Sequence, residues 1–405
     1  MAAPYTPRVT TANPVSRPIH TAVLLAVGSE LTSGETRDTN SGDIARWLVE
    51  AGVDVLWVSS LPDRLETVTR ALRDAVASAD LVVTTGGLGP TPDDLTRESI
   101  AAVMGQTVKV DPGLEAWLRG LFARRNMTFA ELNLKQAWLI PSATAIPNER
   151  GTAPGWWVDA PGGGVIVALP GPPREMSGMW TAGVLPRLRE RGLGRDTVVR
   201  TFRLAGIGES MVAAHLGEAL LHAENPVVAT YAKQDAVDVR ITAVAAGGRS
   251  AADIADEAQA AVLAAVGEFV WGREGDTWPD VLGRRLGKHG WTVAVAEVGT
   301  GGTTAQLFGM APWLLESRSL RTGGATDADL PLADLAGRVR IESGATIGLA
   351  VRAVEAGKDT HVDMCAVGPW GVETFETLAF LGGAQGRIRA ANSLATFLDD
   401  LLKRH

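Results

Sequence analysis

The 405-residue chain has one cysteine, Cys365. A single thiol excludes both an intramolecular disulfide framework and a thiolate zinc cluster. The six histidines (His20, His215, His222, His289, His361 and His405) are scattered, with no H-E-x-x-H or comparable ligand spacing. Apolar runs fall short of the ~20 residues that a membrane-spanning helix needs. Basic residues are not in excess either: 38 Lys and Arg against 46 Asp and Glu leave a net charge of −8. That balance, with a pI near 5.4, argues against direct nucleic-acid binding through a basic face. The cluster from Arg187 to Arg195 fits a solvated helix face. The first 20 residues, "MAAPYTPRVTTANPVSRPIH", lack the apolar segment of a signal peptide and are expected to form a loose arm. A soluble, cytoplasmic protein is the expectation, with no membrane partner.

A hydrophobic share of 46% and a mean hydropathy of +0.09 fit a core-forming chain, and its length calls for two or three domains. From Thr21 strands and helices alternate. "AVLLAVG" is continuously apolar, as a buried parallel strand must be. "NSGDIARWLVEAG" follows as a helix with Ile44, Trp47, Leu48 and Ala51 on one face, Asn40 or Ser41 as cap and Gly52 as stop. "VDVLWVSS", "RLETVTRALRDAVASA", "DLVVTTGG" and "TRESIAAVMG" continue the pattern. The expected fold class is α/β: a doubly wound, mostly parallel sheet over 21–190, a small α+β connecting domain over 191–273, and a second α/β domain over 274–405.

Three segments after strand ends concentrate acids and glycines. In "TTGGLGPTPDDLTRES", Thr85 ends a strand, Gly86, Gly87 and Gly89 form a turn, and Asp93, Asp94 and Thr96 lead into a helix. Backbone N–H groups at such a turn favour an anion. Two carboxylates there would repel a phosphate unless a hard cation lay between them. The blander possibility is that Asp94 or Thr96 caps the helix and the glycines only turn the chain. "GSELTSGETRDTN" places Gly28, Glu30, Asp38 and Asn40 after an earlier strand, although Asp38 and Asn40 could serve only as caps. "LPGPPREM" adds Gly171 and Glu175 after a later one. In an open α/β sheet these strand ends share one rim, so Gly28, Asn40, Thr85, Gly86, Gly87, Gly89, Thr96, Gly171 and Glu175 are expected to bind the substrate. Two smaller signals have plainer explanations: "GIGES" (206–210) as a turn into a helix, and Trp156–Trp157 as a hydrophobic edge rather than an adenine-stacking pair.

Together "AVGSELTSGETRDTN", "TTGGLGPTPDDLTRES", "LPGPPREM" and "GIGES" resemble the competence/damage-inducible protein family, CinA. The resemblance implies a molybdopterin-binding-like first domain with metal-dependent ADP-ribose pyrophosphatase activity. It also implies a connecting domain and a last domain associated with nicotinamide mononucleotide deamidation. Carried over residue by residue, it makes Glu30, Asp38 and Asp94 catalytic, and Glu30, Asp38, Asp93 and Asp94 metal-holding. Asp93 stands where molybdopterin-binding relatives often have a basic residue, which favours a metal. The cofactor expected is a divalent ion (Mg2+, Mn2+ or Co2+), with a monovalent cation as an additional candidate. Glu30 or Asp38 is the general base, a choice that spacing leaves open. In the last domain the family's A-E-S-C-T-G-G is "AEVGTGG": Val298 replaces the serine and Gly299 the cysteine. Valine offers no nucleophile, so the deamidase activity is expected to be lost and the domain kept as a homodimer interface. Two other functions compete: molybdopterin binding in cofactor synthesis, and a non-enzymatic role through DNA-repair or recombination proteins.

Overall fold

Runs such as TAVLLAV and LVVTT have no polar side to leave in water, so each must be covered on both faces. The computed structural model, which describes residues 17–233, 236–320 and 329–405, shows how. The chain forms two compact units, residues up to 198 with 244–251, and residues 199–243 with 252–405.

The first unit begins β1 (Thr21–Val27), α1 (Ser29–Thr32), α2 (Asn40–Glu50), β2 (Asp54–Leu61), α3 (Leu65–Ser78), β3 (Leu81–Thr85) and α4 (Thr96–Met104). It continues β4 (Lys109–Val110), α5 (Pro112–Arg124), β5 (Trp138–Leu139), β6 (Ala143–Ile146), β7 (Gly155–Asp159), β8 (Val165–Leu169), α6 (Pro173–Met179) and α7 (Leu185–Arg191). Its sheet has the order β2-β1-β3-β8-β7-β6. The first four strands are parallel, and β7 pairs antiparallel with both β8 and β6. Alternate residues of β1 enter two cores: Ala22 and Leu24 meet Ile44 and Leu48 of α2, while Val23 and Leu25 meet Val68 and Leu72 of α3 and Ile100 of α4. This is the doubly wound arrangement that the strand–helix alternation implies. Residues 1–16 of the expected arm lie outside the described residues. The rest of it is not loose: Ile19 is fully buried, and its N–H and C=O bond Gly192 O and Gly194 N, each at 2.8 Å.

In the second unit, β9 (Thr197–Leu204), α8 (Glu209–Leu221), β10 (Val227–Ala232), β11 (Val237–Val244), α9 (Ala251–Val266) and β12 (Val270–Arg273) form a small α+β module. Its sheet is ordered β10-β11-β9-β12. VDVRITAV alternates buried and half-buried residues along β11, because helices cover one face only. Then come α10 (Trp278–Gly287), β13 (Val293–Val298), α11 (Thr303–Phe308), β14 (Leu314–Leu320), α12 (Leu332–Ser343), β15 (Ile347–Ala356), β16 (Asp359–Gly368), β17 (Gly371–Ala379) and α13 (Gly383–Arg404). This sheet runs β14-β13-β15-β16-β17, parallel through β15 and antiparallel beyond it. Among the described residues no helix is long and apolar enough to cross a membrane.

Candidate functional site

β1 and β3 are neighbours whose following helices, α2 and α4, pack on opposite faces of the sheet. Loops therefore part at their carboxyl ends, and a crevice opens there. It is a cleft of about 490 Å³, within the size range of small-molecule sites. The loop after β1 contributes Gly28, Glu30, Asp38 and Asn40. The loop after β3 contributes Thr85, Gly86, Gly87, Gly89, Asp93 and Asp94, and that after β8 contributes Gly171 and Glu175. Asn40 ties two of these loops, its Nδ2 donating to Gly171 O at 2.7 Å.

Thr96 is the exception. It is fully buried, away from the cleft, and its hydroxyl donates to Gly86 O at 2.8 Å, so it shapes the turn rather than meeting a ligand. The glycines also differ from expectation. Gly86 N–H is spent on Leu169 O at 3.0 Å and Gly89 N–H on Asp94 Oδ1 at 2.8 Å. Of the three, Gly87 alone has an N–H without a partner among the described residues. Gly86 is required for another reason: its φ is +90°, and a Cβ would stand 2.1 Å from Val27 O.

Asp94 folds its own loop. Besides Gly89 N–H, its carboxylate accepts Thr91 N–H at 2.8 Å and the Thr91 hydroxyl at 2.5 Å. Beside it Asp93 is exposed, and the nearby Thr91 hydroxyl holds its carboxyl below the ordinary aspartate range, with its own backbone N–H and Lys135 assisting. Asp38 accepts Ser41 N–H at 3.0 Å, so the helix-cap role holds for one of its oxygens. Glu175 accepts Asn148 Nδ2 at 2.7 Å. Glu30 is exposed, its carboxylate folded over Gly28 with no partner among the described residues.

Four residues went unnoticed in the sequence. Asp63, at the carboxyl end of β2, lines the same cleft and accepts Ser29 N–H at 2.7 Å; the strand-end rule could have found it. Arg97 is fully buried and donates to Leu88 O at 2.7 Å and Pro154 O at 3.0 Å, bracing the loop from behind. Burial lowers its pKa to about 10, against the pull of Glu98 and Asp94. Lys135 and Asn148 arrive from distant segments and had no local signal.

The acids supply only hard oxygen donors, as Mg2+ or Mn2+ require. Among the described residues, however, no three of the cleft's carboxylates bring ligand atoms within 4.8 Å of one another. They therefore fit a hydrated ion held by one or two carboxylates and completed by a ligand's phosphates, which is the usual manner for Mg2+.

Elsewhere, Gly206–Ser210 turns into α8, with Gly208 O accepting the N–H groups of Met211 and Val212 at 3.0 Å each. Trp156 is fully buried with its indole on Trp138 O, and Trp157 is 7% exposed under Arg187, so neither can stack a base. Val298 is fully buried in β13. A carboxylate stands near Thr300, two residues on from Val298: the Thr300 hydroxyl donates to Glu297 Oε2 at 2.5 Å. Both residues are sealed from solvent, at 0% and 1% exposure.

Residues 23–190 match the family described as "Probable molybdopterin binding domain", and residues 199–272 match "Damage-inducible protein CinA KH domain". A CinA-like protein of Deinococcus deserti is 43% identical over 345 residues, covering 82% of this chain and 85% of its own length. One from Thermomicrobium roseum is 39% identical over 338 residues, covering 82% of each. The crystal structure of the CinA protein of unknown function from Thermoplasma acidophilum is 35% identical, covers 40% of this chain and 95% of its own, and superposes with a TM-score of 0.38.

Proposed function

The chain belongs to the CinA family, and from that premise we propose that its first domain is a metal-dependent pyrophosphatase, hydrolysing ADP-ribose to AMP and ribose 5-phosphate, or a similar nucleoside diphosphate sugar to its own nucleoside monophosphate and sugar phosphate. The observation that supports this best is the charge of the cleft. Glu30, Asp38, Asp63, Asp93, Asp94 and Glu175 line it, against Arg37 as the one cation among the described lining residues. A diphosphate entering such a site needs a cation to offset the repulsion.

Asp93, with the second oxygen of Asp38, would hold that ion, of the Mg2+, Mn2+ or Co2+ type. When bound it neutralises the diphosphate and polarises the phosphoryl group. The chain's own groups do the rest. Gly87 N–H, unspent in the fold, donates to a phosphoryl oxygen and gains strength as charge builds there. Glu30 suits the general base better than Asp38, because Asp38 is partly committed to Ser41 N–H whereas the Glu30 carboxylate is free to take a proton from water. Asp94 acts by keeping the loop folded.

Incubation with ADP-ribose and a divalent ion, with AMP followed by chromatography, tests this. Glu30→Gln should lower the rate by roughly 10²-fold or more, and Asp93→Asn should raise the metal concentration needed. A wild type that yields no AMP, or variants as active as it, would refute the proposal. The similarity of residues 23–190 to the probable molybdopterin-binding domain family favours a second function, molybdopterin binding. It predicts a tightly bound pterin phosphate that no metal-dependent turnover accompanies. For the last domain, with Val298 in place of a nucleophile, we propose a homodimer interface; a monomer in light scattering at micromolar concentration would contradict that.

A further inference from the structure

Far along the chain from the cleft, the five-stranded sheet carries an unbalanced row of charge. Register aligns Leu320, Val298, Arg352, Asp363 and Glu376 across β14, β13, β15, β16 and β17. Asp363 and Glu376 are direct cross-strand partners, and like charges so placed destabilise a sheet. His361, two residues before Asp363, projects from the same face. Its Nδ1 lies 3.2 Å from Asp363 Oδ1. Helix α12 covers the inner part of this face, packing on Val298, Ala350 and Cys365, and leaves His361 47% exposed. Arg352 flanks Asp363 on the other side, and its Nη2 donates to Leu330 O at 2.6 Å. No cation pairs with Glu376 among the described residues. One potential ligand atom from each of His361, Asp363 and Glu376 lies within 4.8 Å of the others, the only such trio among the described residues.

We propose that His361, Asp363 and Glu376 bind a divalent transition-metal ion of the Zn2+ class. An imidazole nitrogen with two carboxylate oxygens suits Zn2+ and its first-row neighbours, whereas Mg2+ and Ca2+ take oxygen ligands. The ion relieves the Asp363–Glu376 repulsion that the strand register imposes. Bonds of about 2.0–2.1 Å in tetrahedral geometry put ligand atoms about 3.3 Å apart, so a trio within 4.8 Å closes by at most about 1.5 Å, a movement that the exposed His361 and Glu376 side chains can make by rotamer adjustment. Three protein ligands leave the fourth position to water or a small anion, at the rim where the parallel strands β13 and β15 end.

The test is calorimetric titration of Zn2+ alone into chelator-treated, full-length protein, repeated with Co2+ followed by its visible absorption. The wild type should bind one ion per chain at this site, in addition to any ion that the cleft takes. His361→Ala should abolish that site, and Glu376→Gln should weaken it at least about tenfold, since even outer partners of a metal ligand are worth 10- to 100-fold. Asp93→Asn, in the cleft, should leave it untouched, so the site stands or falls apart from the pyrophosphatase. All three side chains substituted are exposed, and circular dichroism should match the wild type. Absence of Zn2+ binding, or an isotherm that His361→Ala leaves unchanged, would overturn the proposal.

Discussion

Gly86→Ala tests whether the ends of β1 and β3 meet as closely as the cleft requires. Gly86 has a φ of +90°, and a Cβ there would lie 2.1 Å from Val27 O and 3.2 Å from its carbonyl carbon. The left-handed conformation alone costs alanine about 1–2 kcal/mol. Relieving the overlap forces the two strand ends apart, at the 1–3 kcal/mol typical of overpacking. Gly105→Ala is the internal control. Its φ of +62° carries a similar conformational cost, but a Cβ there would meet nothing within 4 Å. The difference between the two variants isolates the close approach and should amount to about 1–3 kcal/mol. Native-state hydrogen exchange in peptides spanning β1 and β3 reads this locally. Opening should be roughly 5- to 150-fold more frequent in Gly86→Ala than in Gly105→Ala. Equal exchange in the two variants would show that Val27 and Gly86 are not in contact and that the cleft is assembled differently.

Thr96→Val keeps the side-chain volume but leaves Gly86 O without its buried donor, and should cost about 1–3 kcal/mol in chemical denaturation. Arg97→Leu strips two buried carbonyls, Leu88 O and Pro154 O, of their donor. It should loosen the loop over 86–94, seen as faster proteolysis there, and weaken nucleotide binding without touching a lining residue. Asp80 gives a pH dependence. Burial pushes its carboxyl up, but hydrogen bonds from His20 N–H and the Thr21 hydroxyl and N–H, with Arg17, outweigh this and hold it below the usual range. A depressed acid stabilises the fold above its unfolded pKa of about 3.9 and ceases to do so as pH falls through the lower folded value. Asp80→Asn should therefore lower stability at pH 7 and flatten its acid decline below about pH 4, measured by thermal unfolding across that range.

What the sequence made legible was whatever local chemistry dictates. TAVLLAV and LVVTT have no polar side, so a sheet covered on both faces follows. Acids and glycines placed after strand ends must share a rim once the strands are parallel. What it could not show was which groups the fold consumes. Gly86 and Gly89 looked like anion donors, but their N–H groups close the sheet end and the loop. Asp94 looked like a metal ligand, yet three donors of its own loop surround it. Thr96 looked like a ligand contact and lies wholly inside. Arg97, Lys135 and Asn148 are recruited over long sequence separations, which no local pattern encodes. Likewise the Asp363–Glu376 opposition depends on the β16–β17 register.

The central claim is that the acid-lined cleft grips a diphosphate through a cation and cleaves it. Phosphorus NMR of ADP-ribose mixed with the protein tests this most directly, with and without Mg2+, Mn2+ or Co2+. The account predicts that the two diphosphate resonances give way to two phosphomonoester resonances only when protein and metal are both present, and far more slowly with Glu30→Gln. Diphosphate resonances that persist unchanged with the wild type under every metal would contradict it.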